Sequence, residues 1–194
     1  DADRHDRYGV ALEPSELKWE TFDPRFDLAR SPNEVNRFGY VVELNPWDPT
    51  STPVKHSAMG RFKHEGANIH VTDDGTVVAY SGDDERFDYM YKFVSAGTWS
   101  SSDAAHNHTL LEEGDLYVAT FNGNGSADGL HDGDGQWLPL VVGGESKVAG
   151  FTVEEVLVHT RLAADAVGPT KMDRCEDVEP SLHSRRVYVA CTNN

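Results

Sequence analysis

The stretch of sequence that decides the fold class is GTVVAYSGDDERFDYMYKFV, residues 75–94. A run rich in β-branched residues, 75–80, follows the turn residues Asp73 and Asp74 and ends at the turn formed by 82–84. Residues 87–94 then alternate aromatic and polar side chains. Short alternating runs that are separated by Gly, Asp and Asn are typical of antiparallel β-structure. The stretch therefore predicts short strands of a mainly β protein.

Similar runs occur at 38–44, 115–121 and 186–191, each followed by Asn, Pro or Asp residues. The runs that end near Tyr80, Phe121 and Cys191 recur at about 40 and then about twice 35 residues, as successive four-stranded propeller blades would. Asn and Asp end strands in any β protein because they form turns, so this second interpretation stays open. We expect antiparallel neighbours, at least eight strands and a propeller-like architecture.

One helix interrupts the β pattern. Thr152 and Glu155 form a capping box, and Gly168-Pro169 provides a stop signal. The sequence therefore predicts one clear helix at about residues 152–166. Its apolar face consists of Val153, Val156, Leu157 and Leu162.

The remaining segments indicate a single domain over residues 1–194. Residues 1–36 are Pro-rich and charged, which predicts an extended lead-in. The spans 97–109 and 122–135 are rich in Gly, Ser and Asp and are interpreted as loops. Strand patterns resume on both sides of each, so neither is interpreted as a domain linker.

The composition is acidic, with 33 Asp and Glu against 17 Lys and Arg and a formal net charge of −16. Such a field repels nucleic acid and anionic membrane surfaces, so we expect neither as a partner. The charge either serves solubility or reflects carboxylates that converge on divalent cations. No apolar run reaches the length of about 18 residues that a membrane-spanning helix needs.

Two cysteines, Cys175 and Cys191, are too few for a disulfide scaffold. They could pair in an oxidising compartment, but the sequence does not show whether their geometry permits a bond.

The first candidate site is Lys63-His64-Glu65-Gly66. A carboxylate here could bind a metal, and the Lys and His could contact an anionic substrate. A solvated strand end explains the same residues. The pattern is not HExxH, which excludes a zincin site.

The second candidate site is Met172-Asp173-Arg174-Cys175-Glu176 together with Asp177 and Glu179. Carboxylates this close repel one another unless a cation or a guanidinium offsets them. Arginine suits phosphate because its planar fork donates two parallel hydrogen bonds. These residues alone indicate an anion site next to a cation site.

Several of these stretches together resemble the PhoX alkaline phosphatase family. The matches run in the same order from about Arg7 to Asn194. They include residues 33–43, 60–67, 82–87, 91–94 and 160–179, with RFKHEGA at 61–67 and RLAADAVG at 161–168 as the most specific.

The resemblance implies an internal portion of a six-bladed propeller, export by the twin-arginine route to the periplasm or beyond, and phosphomonoester hydrolysis with Ca²⁺ and Fe³⁺. It implies that Glu65 and Glu176 are metal ligands, that Arg174 holds the substrate phosphate, and that further ligands come from outside residues 1–194. The family commonly has Pro where this chain has Cys175. We expect a monomer.

Glu65, Arg174 and Glu176 should then meet in one cleft. Two carboxylates that share an ion should lie within about 5 Å of each other. A calcium-binding propeller without catalysis and a metal-dependent esterase or lactonase are the alternatives. Arg174 argues against the esterase or lactonase, because a neutral ester does not need a guanidinium.

Overall fold

The computed structural model describes residues 2–125, 127–130, 132–184 and 186–192. Within those ranges the chain forms twelve strands and four α-helices. The mainly β class, the antiparallel pairing and the expectation of at least eight strands are confirmed. The strands are β1 Val42–Glu43, β2 Val54–Lys55, β3 His64–Val71, β4 Thr76–Asp83, β5 Arg86–Asp88, β6 Met90–Thr98, β7 Gly114–Gly123, β8 Gly133–Val142, β9 Glu145–Ser146, β10 Met172–Asp173, β11 Cys175–Pro180 and β12 Val187–Cys191.

The α-helices are short. They are α1 Ala2–Arg7, α2 Ala104–Asn107, α3 Val153–Val158 and α4 Thr160–Val167. Single 3₁₀ turns lie at Trp19–Thr21, Pro24–Phe26, Glu34–Arg37 and Ser57–Met59. No helix in the described part of the chain is long and apolar enough to cross a membrane.

The main sheet has the order β3-β4-β6-β7-β8-β9. Successive residues of its strands point to opposite faces, and both faces are covered. Ala79, Tyr91 and Val118 pack with Val156 and other residues of the helical layer formed by α3 and α4. Their chain neighbours Tyr80, Met90 and Ala119 pack on the other face with Val178 of β11 and Val187 and Val189 of β12. The β11–β12 pair is therefore a second layer on the sheet.

The helix predicted near 152–166 is two helices that are separated at His159, which has φ −116° and ψ 46°. The capping box is present, with Thr152 and Glu155 exchanging both hydrogen bonds. The break arises because side chains take the carbonyls of the intervening turn. The Thr160 hydroxyl donates to Val156 O at 2.9 Å, and Arg61 Nε donates to Val158 O at 2.8 Å.

The proposed blade spacing is wrong for its first interval. Tyr80 lies on β4 and Phe121 on β7, and both strands belong to the same sheet. The interval of about 40 residues therefore spans hairpins within one sheet and does not separate two blades.

Other segments also differ from the sequence interpretation. Residues 1–36 contain α1 and three 3₁₀ turns, so this lead-in is locally helical rather than extended. The run 38–44 contributes only the two residues of β1, and the predicted loop 122–135 is shortened at both ends by β7 and β8. Ser126 and His131 within that loop, and Asn193-Asn194 after the last strand, lie outside the described residues.

Candidate functional site

Arg174 lies between two carboxylates at the junction of β10 and β11. Its Nε and Nη2 donate to the two oxygens of Asp84 at 2.9 and 3.2 Å. Nη2 also pairs with Glu176 Oε1 at 2.8 Å. The hydrogen bond with Asp84, together with the nearby acidic charges, raises the pKa of Arg174 above its usual value. The guanidinium is thus held from two sides, yet 41% of the side chain remains exposed.

The backbone of Arg174 adopts the left-handed region, with φ 57°. This conformation costs roughly 1–2 kcal/mol for a residue with a side chain. Two hydrogen bonds hold it there: Arg174 N donates to Glu85 O at 3.1 Å, and Thr192 N donates to Arg174 O at 3.3 Å. Strained backbone that the surroundings enforce is common at functional sites, so this feature supports a functional role for Arg174.

Residues 84 and 85 connect the two sequence motifs. Asp84 N donates to Lys63 O at 3.0 Å, and the Lys63 ammonium pairs with the Glu85 carboxylate. The same two residues bind Arg174, through the Asp84 side chain and the Glu85 carbonyl. The motifs near 63–66 and 172–176 therefore meet at this turn. Asp84 was missed by the sequence analysis, because nothing in its local pattern connects it with Arg174.

Glu65 lies on β3 opposite Gly82 and is exposed. Gly82 in turn packs against Cys175, since a Cβ added at Gly82 would come within 2.1 Å of the Cys175 carbonyl oxygen. Glu65 is thus placed in the neighbourhood of the second motif. No hydrogen bond or ion pair in the described residues joins its carboxylate to Arg174 or Glu176.

Glu176 is only partly available as a metal ligand. Its Oε1 accepts a hydrogen bond from the Thr192 hydroxyl at 2.5 Å in addition to the contact with Arg174. Carboxylate oxygens suit hard cations such as Ca²⁺ and Fe³⁺. However, the described residues contain no group of three or more His, Cys, Asp and Glu side chains that is placed to hold a metal ion. By themselves they do not fit a metal cluster.

His64 has a structural position, although its sequence context suggested substrate contact. Its ring stacks on Phe62 at a centroid distance of 3.7 Å. Nε2 contacts Gly60 O at 3.0 Å, and Nδ1 contacts the Ser81 hydroxyl at 2.9 Å. Burial lowers the pKa of His64 to about 4, so the neutral ring predominates at neutral pH.

The sequence analysis also missed a network of ion pairs that begins at Asp83, the chain neighbour of Asp84. Arg161 donates from Nε and Nη2 to the two oxygens of Asp83 at 2.7 and 2.5 Å, and Arg7 binds Asp88 and Asp165. Burial raises the pKa of Asp83 to about 6, and the Arg161 bonds oppose this rise only in part. Although burial lowers the pKa of Arg161, the hydrogen bonds with Asp83 raise it on balance. The network anchors α1 and α4 to the ends of β4 and β5.

Comparisons with known proteins agree with this description. The family model described as alkaline phosphatase PhoX matches residues 1–194. A solved structure titled Pseudomonas fluorescens PhoX in complex with vanadate, a transition state analogue, superposes with a TM-score of 0.88 at 47% sequence identity. The match covers 96% of this chain and 33% of the Pseudomonas fluorescens chain, so this chain spans about a third of that structure. Among curated proteins none matches the chain.

The fold and the site define a mainly β protein that carries an arginine–carboxylate cluster next to the end of strand β4. The chain belongs to the PhoX family of alkaline phosphatases. The family resemblance found in the sequence is thereby confirmed.

Proposed function

We propose that this chain takes part in metal-dependent hydrolysis of phosphomonoesters, with release of inorganic phosphate. The observation that carries the proposal is the structural match, at 47% identity and a TM-score of 0.88, to a PhoX in complex with vanadate. Vanadate is described there as a transition state analogue. A pocket that binds such an analogue stabilises charge on a transferring phosphoryl group.

Arg174 is the residue we propose for binding the substrate phosphate. Asp84 and Glu176 engage its Nε and Nη2, which fixes the plane of the guanidinium. Within the described residues, Nη1 has no hydrogen-bond partner, so two N–H donors remain for an anion. A pre-oriented guanidinium stabilises the negative charge of the phosphoryl oxygens as the transition state forms.

Glu65 and Glu176 are proposed as metal ligands, and Ca²⁺ and Fe³⁺ as the ions, on the strength of the family resemblance. Hard oxygen donors support this choice. The ions would offset the charge of the phosphoryl group. Because the described carboxylates do not form a metal site by themselves, the proposal requires further ligands from elsewhere in the full-length protein.

The wider setting follows from the same resemblance. We propose that the main sheet and the β11–β12 layer belong to a six-bladed propeller. We also propose export to the periplasm or beyond, and a small phosphomonoester as substrate.

The decisive experiment compares p-nitrophenyl phosphate with p-nitrophenyl acetate as substrates of the full-length protein, with and without Ca²⁺. Calcium-dependent release of phosphate without acetate hydrolysis is expected. Acetate hydrolysis would favour the esterase or lactonase alternative. Calcium-dependent stability with neither reaction would favour a binding module and would overturn the proposal. Metal analysis of the same sample tests the assignment of calcium and iron.

A further inference from the structure

The two cysteines of the chain face each other beside the candidate site. The register of the β11–β12 pair places Cys175 directly opposite Cys191. Their Sγ atoms are 3.9 Å apart, and both are free thiols. Cys175 is fully buried and separates Arg174 from Glu176, whereas Cys191 is half-buried.

The backbone at this pair is already suited to a disulfide. The hydrogen bond from Thr192 N to Arg174 O flanks the two cysteines, so they form a non-hydrogen-bonded pair of the antiparallel ladder. Cα atoms in such pairs lie about 4.5 Å apart. Disulfides join Cα atoms that are roughly 4.4–6.8 Å apart. The bond can therefore form by side-chain rotation, while the strands stay in place.

A shift in strand register places the side chains of Cys175 and Val178 on the same, buried side of β11. The pairing shifts between Cys175 and Val178, so that Glu176 and Asp177 lie opposite the single residue Ala190. Residues three apart on a regular strand point to opposite faces. Here Cys175 and Val178 are both buried, because the extra residue restores their common direction.

We propose that Cys175 and Cys191 form a reversible disulfide, and that this bond locks the segment bearing Arg174 and Glu176 to β12. The reaction is thiol–disulfide exchange with an external disulfide as oxidant. The thiolate of the more accessible Cys191 attacks that disulfide, which forms a mixed disulfide and releases one thiol. Cys175, once deprotonated, then attacks the Cys191 sulfur, which closes the internal bond and releases the second thiol. Two protein thiols are oxidised and one external disulfide is reduced.

The order of the two steps follows from the surroundings of each sulfur. Cys175 is fully buried, whereas Cys191 is half-buried. An external disulfide therefore reaches the Cys191 sulfur first, and Cys175 is the poorer first nucleophile. Its proximity to Cys191 makes it an efficient second one, because the resolving step is intramolecular.

The consequence for the structure is local. Thr192, the residue that follows β12, binds Arg174 through its backbone N–H and Glu176 through its hydroxyl. A covalent bond one residue away from both contacts keeps β12 in register with β11. This inference stands on strand geometry and does not depend on the proposed function.

The bond can be detected by peptide mapping of the full-length protein after exposure to oxidised glutathione. Trypsin cleaves after Arg174 and Arg186, which places the two cysteines on separate peptides. We expect one cross-linked pair of peptides, 2 Da lighter than the sum of the reduced peptides, that separates on reduction. The unfolding temperature of the oxidised protein should be higher by roughly 5 °C and should fall when dithiothreitol is added.

Cys191→Ser is the matched variant, because it removes one sulfur at the less buried position. It should show no cross-link, and its unfolding temperature should not respond to dithiothreitol. Alkylation of both cysteines in the wild-type protein after oxidation would overturn the proposal. A stable glutathione adduct on Cys191 without the cross-link would overturn it as well. Both of these readouts come from the wild-type chain and do not require any variant to fold.

Discussion

Asp83 and Asp84 are neighbours in the chain, yet they belong to two different environments. Asp83 has a fully buried side chain and binds Arg161, whose side chain is only 2% exposed. Asp84 binds Arg174, whose side chain is 41% exposed. Each pair makes two hydrogen bonds from one guanidinium to one carboxylate. The chemistry is the same, but the degree of burial differs.

Burial decides what each pair contributes. Solvent screens the Arg174 pair, so it contributes little to stability. The Arg161 pair is desolvated, and removal of one partner would leave a charge that water cannot reach. The comparison indicates that the interior pair specifies the packing of α1 and α4, whereas the exposed pair orients a guanidinium that remains open to a ligand.

The largest effect that tests this comparison is on stability. Arg161→Gln should lower the free energy of unfolding by about 3–5 kcal/mol, because the buried carboxylates of Asp83 and Asp88 then lose the cation that they share. Arg174→Gln is the matched control and should cost much less, because solvent reaches its ion pair. Denaturant unfolding of both full-length variants measures the difference. Equal losses at the two positions would contradict the division into an interior and an exposed pair.

The next effect is on catalysis. Arg174→Lys should lower kcat/KM for a phosphomonoester about 10²-fold, or about 3 kcal/mol, because lysine keeps the charge but cannot bind Asp84 and present a second, fixed nitrogen to the phosphate at the same time. The unfolding temperature should barely change. Arg30→Lys, at a surface arginine paired with Asp27, controls for the substitution itself.

A structural role for Arg174 predicts the opposite pattern. Lysine would then retain most of the activity, and Arg174→Ala would lower stability and metal content together. Near-wild-type turnover of the lysine variant would end the phosphate-binding proposal. Steady-state kinetics and metal analysis on the same samples separate the two roles.

The pH dependence of stability tests the interior near the first motif. The pKa of folded His64 is about 4 against an ordinary value of 6.5, so the unfolded chain binds more protons between these values. Stability should therefore be lost as pH falls from about 6.5 to 4, by up to about 3 kcal/mol from this residue. His64→Gln should show a shallower loss in unfolding measured across this pH range. An unchanged slope would assign the effect to other groups, such as His159, whose pKa burial also lowers to about 4.

The fold class and part of the site could be predicted because they depend on local signals. Alternation along 75–94 and 115–121 indicates strands, and the Thr152–Glu155 capping box marks a helix start. The break at His159 could not be predicted, since it depends on Arg61 from a distant segment. The partnership of Asp84 with Arg174 spans 90 positions and also leaves no local signal. Glu65 and Glu176 came from the family resemblance, and their role as ligands stays a prediction.

The smallest effect concerns the backbone of Arg174. Here the sign of the stability difference between a glycine and an alanine variant is diagnostic. Glycine normally destabilises a strand or helix by roughly 0.5–1 kcal/mol relative to alanine. At a φ of 57° the order should reverse, because glycine adopts the left-handed region without the cost of a Cβ. We therefore expect Arg174→Gly to be about 1 kcal/mol more stable than Arg174→Ala. Both variants lose the same ion pairs, so the difference in stability between them isolates the backbone contribution.

The control is the same pair of glycine and alanine variants at Lys171, which is exposed and is not among the described residues with positive φ. There the alanine variant should be the more stable of the two. Unfolding midpoints of the four variants decide the point. If alanine is the more stable residue at both positions, the left-handed conformation of Arg174 is not enforced by Glu85 and Thr192. Backbone strain would then no longer support a functional role for Arg174.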